Sequence, residues 1–96
     1  MESGRPFIRQ GQGLVTREIA GETLIVPVKG TAAELNHIFT LDEIGSLIWQ
    51  SLDGRTSLAR IAERIEGEYE VSPEEAQRDV EEFVKGLEEE GLVQPG

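Results

Sequence analysis

The chain has 96 residues, 38% hydrophobic and 29% charged, a composition that fits one folded domain with one modest core and excludes a disordered tail. Its 19 acidic residues outnumber the 9 basic ones, and the resulting net charge of -10 repels phosphate backbones and argues against a nucleic-acid partner. The sequence holds no cysteine, which removes disulfides, thiolate catalysis and cysteine-ligated zinc.

No apolar run approaches the ~20 residues that cross a bilayer. The opening stretch MESGRPFIRQGQG has no apolar core of a signal peptide. A cytoplasmic protein with no membrane association is the expectation.

In chain order, residues 1–12 are polar and interrupted by Gly4, Pro6 and Gly11, and read as a flexible N-terminal segment ahead of a single domain over 13–96. Within that lead-in, Phe7 and Ile8 are the residues able to dock. The runs LVTREI (14–19) and TLIVPVK (23–29), with a turn at Ala20, Gly21 and Glu22, predict a β-hairpin. Pro27 has no N–H for a ladder, which points to a bulge or to a strand end. After a turn at Lys29-Gly30-Thr31, the run ELNHIFTL (34–41) predicts a third strand, with Phe39 and Leu41 facing inward.

Three helices follow. Asp42 is the expected cap of a first helix reaching about Leu52, with Thr40 and Glu43 as an alternative capping box. Its apolar stripe is Ile44, Leu47, Ile48 and Leu52, with Trp49 beside it. Asp53-Gly54 is read as its stop. Thr56 or Ser57 caps a second helix over 58–67, with Leu58, Ile61, Ala62 and Ile65 inward. Ser72-Pro73-Glu74-Glu75 predicts the start of a third helix, which runs to about Glu90. Its stripe is Ala76, Val80, Phe83, Val84 and Leu87, and Gly91 is placed for a left-handed ending. Leu92 and Val93 then fold back as a short extended tail. The fold class is α+β: a three-stranded antiparallel sheet followed by three helices.

The chemistry of catalysis is missing. His37 is the single histidine, so no serine has a base and no metal cluster can form with it. No phosphate-cradling motif occurs. No enzyme activity, no cofactor and no metal are expected.

The order of motifs then carries a resemblance. Leu41-Asp42-Glu43-Ile44-Gly45-Ser46-Leu47-Ile48-Trp49 is followed by Leu52-Asp53-Gly54-Arg55-Thr56, then by Ile61-Ala62 and Tyr69-Glu70-Val71. Asp79-Val80, Phe83, Leu87 and Gly91-Leu92-Val93 complete the series. This arrangement resembles the PqqD family. It departs from the family in Asp42, which stands where asparagine is usual and keeps the capping chemistry.

The resemblance implies a winged helix-turn-helix-like unit that recognises leaders of ribosomally synthesised, post-translationally modified peptides. Members hand the precursor to a modifying enzyme, often a radical SAM protein, and one branch serves pyrroloquinoline quinone synthesis. It implies β-augmentation, in which the leader adds a strand to the third strand's edge. The residues it nominates are Asn36, His37, Ile38, Phe39 and Thr40 from the strand. From the third helix it nominates Asp79, Glu82, Phe83 and Gly86. The acidic helix wall implies that basic leader residues help and that salt weakens binding.

Two other readings compete: a docking scaffold that binds no leader, and a winged-helix regulator. The acidic third helix has the wrong sign for the regulator. An open strand edge also permits pairing between copies, so the oligomeric state stays open.

Overall fold

The computed structural model describes residues 4–9, 13–28 and 38–96. Among them the fold is α+β, with three helices and two three-stranded antiparallel sheets. The strands are β1 (Pro6–Arg9), β2 (Leu14–Ile19), β3 (Glu22–Pro27), β4 (Phe39–Leu41), β5 (Asp53–Ser57) and β6 (Val93–Pro95). The helices are α1 (Glu43–Ser51), α2 (Leu58–Glu68) and α3 (Pro73–Glu89).

One sheet, ordered β2-β3-β4, corresponds to the expected hairpin and third strand. Its two-residue turn puts Ala20 at φ 54 and Gly21 at φ 83, both left-handed, which matches the twist of a tight hairpin. Of the expected third strand over 34–41, the described part begins at Ile38. Among the described residues Phe39–Leu41 is strand and Ile38 precedes it as coil, while 34–37 and the turn at Lys29-Gly30-Thr31 lie outside the described residues.

The other sheet, ordered β5-β1-β6, corrects the expectation of a single sheet with all strands ahead of the helices. β5 sits between α1 and α2, and β6 follows α3. Pro6–Arg9, read as part of a flexible lead-in, is the central strand β1, and Phe7 is 2% exposed in the core. Asp53-Gly54, read only as a helix stop, opens β5, with Gly54 at φ 81 against Ile8. The tail at Val93 becomes β6 and pairs with β1 through Phe7↔Pro95 and Arg9↔Val93.

The helices form where caps and stripes place them. Asp42 accepts from the Gly45 N–H at 2.8 Å, Ser57 from Arg60 at 3.1 Å and Ser72 from Glu75 at 3.1 Å, each satisfying a first-turn donor. Gly91 at φ 77 ends α3, and the Leu92 N–H returns to the Leu87 carbonyl at 2.9 Å. Ile48, Trp49 and Leu52 from α1 and its cap meet Leu58, Ile61 and Ile65 of α2 and Ala76, Val80 and Val84 of α3 in one core. Ile25 and Leu41 close that core from the β2-β3-β4 sheet. This burial of apolar surface is the main force holding sheet and helices together.

Candidate functional site

The site is built around β4, among the described residues the shortest strand of its sheet and one of its two edges. The Val28 N–H donates to the Gly13 carbonyl at 2.7 Å, which fixes even-numbered β3 residues as those bonded to β2. The N–H groups of Thr23 and Ile25 therefore face β4, opposite Leu41 and Phe39. Antiparallel alternation then turns the N–H and C=O of Thr40 away from β3, out of the sheet. Pro27, at the end of β3, has no N–H to donate on the β4 side of the sheet.

A buried hydroxyl relay holds β4 against α1. The Thr23 hydroxyl donates to Ser46 Oγ at 2.7 Å, and the Ser46 hydroxyl reaches the Leu41 carbonyl at 3.4 Å. Both side chains are buried, so losing Ser46 leaves the Thr23 hydroxyl without its partner in the core.

Beside the outward edge of β4 lies an open groove of about 410 Å³. Thr40 and Leu41 line it from the strand, and Asp42, Ile44, Gly45 and Ile48 from the start of α1. Asp79 and Phe83, one turn apart on α3, form the far wall. A Cβ on Gly45 would stand 3.1 Å from the Phe83 ring, so glycine is what lets the ring close against α1. Ile44 remains 36% exposed, an apolar side chain open to the groove.

Of the residues nominated from sequence, Thr40, Asp79 and Phe83 come together in this groove. Ile38 is 62% exposed just before β4. Phe39 packs against the core on the opposite side of the strand from Thr40. Glu82 and Gly86 are exposed on α3 and do not line the groove, and a Cβ at Gly86 would meet nothing within 4 Å. Asn36 and His37 lie outside the described residues. The contribution of α1 was missed in the sequence, where Ile44 and Ile48 belong to one apolar stripe. A glycine in a first helical turn at Gly45 was the signal for a close approach.

Near the start of α1, burial raises the Tyr69 phenol above its ordinary 10.0, and the Glu43 carboxylate adds to the effect. Among the described residues no group of three or more His, Cys, Asp and Glu side chains is placed to hold a metal. No described helix is long and apolar enough to cross a membrane.

The sequence model of a family described as coenzyme PQQ synthesis protein D (PqqD) matches residues 22–93. The chain belongs to the PqqD family. The matched span runs from β3 to β6 and includes every residue lining the groove. No curated protein matches the chain.

Among solved structures, the fold of this PqqD-family chain is similar to that of TbiB1 in complex with the TbiA(beta) leader peptide. The TM-score is 0.74 at 24% identity, over 91% of this chain and 95% of that one. It is also similar to a lasso peptide synthetase B1 complexed with the leader peptide, with a TM-score of 0.76 at 24% identity, over 93% of this chain and 98% of that one. At this identity the likeness is one of fold.

Proposed function

We propose that this PqqD-family chain binds the leader of a ribosomally synthesised, post-translationally modified peptide and presents it to a modifying enzyme, with a radical SAM protein as the expected kind. The leader adds a strand to the outer edge of β4. The observation that carries the reading is the outward direction of the Thr40 main-chain groups directly beside the groove of Asp79 and Phe83. Family membership and two fold neighbours that hold leader peptides support it.

In this reading the main chain supplies pairing and the groove supplies selectivity. An apolar leader side chain packs on Ile44, Ile48 and Phe83, and a basic one pairs with Asp79. The favourable terms are set against the cost of ordering a flexible peptide, so affinity depends on a few well-filled contacts. The role is one of holding, with the chemistry left to the partner enzyme.

A winged helix-turn-helix-like description of the helical part does not convert it into a DNA reader. α3 carries Glu74, Glu75, Asp79, Glu81, Glu82, Glu88 and Glu89 against Arg78 and Lys85, the wrong sign for a duplex.

The test is fluorescence anisotropy with two labelled halves, leader and core, of a candidate precursor peptide. The leader half is expected to bind, to lose affinity in Phe83→Ala, and to weaken as salt rises. The core half is expected to stay free. Equal binding of both halves would remove leader recognition from the reading.

A further inference from the structure

A second surface stands apart from the groove and carries the opposite charge. Three of the chain's nine basic residues, Arg55, Arg60 and Arg64, line one concavity of about 300 Å³ together with Thr56 and Ser57. Arg55 projects from β5, which runs directly into α2, and Arg60 and Arg64 follow one turn apart on α2. No residue is shared with the groove beside β4.

No carboxylate among the described residues lines the concavity to neutralise this cluster. Asp53, the carboxylate nearest Arg55 in sequence, is turned into its own bend, where it accepts from the Arg55 and Thr56 N–H groups at 2.8 Å each and from the Thr56 hydroxyl at 3.1 Å. Glu63 precedes Arg64 on α2 without lining the concavity. Among the described residues no ion pair engages the three guanidinium groups. Arg64 is instead steadied by a neutral partner, its Nη1 donating to Ser51 Oγ at 3.1 Å. In a chain with 19 acidic residues, three arginines gathered without a carboxylate are matched to charge from outside.

We infer that Arg55, Arg60 and Arg64 form a docking surface for an extended acidic segment of a protein partner. Guanidinium forks take carboxylates in bidentate fashion. The spacing suits more than one carboxylate. Arg60 and Arg64 are separated by about 6 Å along the helix axis, and carboxylates at alternate positions of an extended chain are about 7 Å apart. The molecule as a whole carries a net charge of -10 and repels such a segment away from this surface, so the field both admits it here and orients it. Because groove and arginine surface have separate linings, the inference does not depend on leader binding.

The experiment is an NMR titration of the labelled full chain, following the arginine side-chain Nε–Hε resonances. Three probes are used: a synthetic peptide with Glu at alternate positions, the same peptide with Gln, and inorganic phosphate. The Glu peptide is expected to bind at low salt, with shifts confined to residues 55–64, and the other two probes are expected to shift nothing at the same concentration. Arg55→Gln with Arg60→Gln leaves the Arg64–Ser51 bond in place and is expected to weaken binding about tenfold or more, with the remaining spectrum unchanged. Absence of binding by the Glu peptide overturns the inference, as does binding that survives the double variant. Equal shifts with phosphate overturn it in favour of a small-anion site.

Discussion

Replacing Thr40 with proline separates the fold from the recognition of an added strand. Thr40 is exposed, and its N–H points away from β3, so proline there removes no bond of the β3–β4 ladder. The preceding Phe39 is already extended, the conformation that a following proline demands. An edge strand tolerates proline on its solvent side, so the cost in stability is expected to stay below about 1 kcal/mol. An added leader strand, by contrast, loses a main-chain donor and leaves its own carbonyl facing a ring. That loss is worth about 1–3 kcal/mol, or about 5- to 150-fold in Kd. The assay is anisotropy with the labelled leader, run beside a thermal melt. Thr40→Val, which keeps the N–H, serves as the control and should bind as the parent does. Unchanged affinity in Thr40→Pro would refute augmentation at this edge. A collapse in Tm would refute the register argument itself, because it would mean that the N–H serves the ladder.

Three further outcomes follow from the structure. Ile61 is 0% exposed at the centre of the helical core, so Ile61→Ala should cost about 2–5 kcal/mol and lower Tm by about 10 °C or more, read by calorimetry. Gly91 sits at φ 77, and a methyl group placed on its Cα would meet nothing within 4 Å. Gly91→Ala therefore carries a backbone cost alone, about 1–2 kcal/mol, and Gly91→Asn should recover part of it in the same melts. The Tyr69 phenol is raised above its ordinary 10.0 by burial and then by Glu43. The folded state thus holds its proton where the unfolded state has begun to ionise, so this contribution is complete below the unfolded value and is lost as pH rises through the folded one. Tyr69→Phe should flatten the fall of Tm in alkaline solution, and an unaltered profile would mean that the phenol plays no part.

The helices were legible because their signals are local. Ser72-Pro73 and Asp42 announce starts within four residues, Gly91 marks an end, and the stripes repeat within two turns. The hairpin was legible for the same reason, through two β-rich runs and a turn whose residues take left-handed angles. The β5-β1-β6 sheet was not. Its strands read PFIR, DGRTS and VQP, with glycine, proline and aspartate where β-propensity is lowest. They are strands because distant segments pair, Pro6 with Ser57 and Phe7 with Pro95, and no window of sequence contains both partners. The candidate site divides along the same line. Asp79 and Phe83 belong to one helical face and were found together, whereas their meeting with Ile44 and Gly45 depends on how α3 lies over α1.

The pairing of β1 with β6 has a mechanical consequence. Phe7 lies opposite Pro95, and the Gly96 N–H reaches the Pro6 carbonyl at 3.0 Å, so the first and last strands in chain order have their outer ends at the same corner. Tension applied to the two ends would peel that pair open one bond after another, as a zipper parts, instead of shearing all its bonds at once. The clasp that completes the fold is thus also its softest point under load, and a pulling machine would breach it before meeting the resistance of the packed helices.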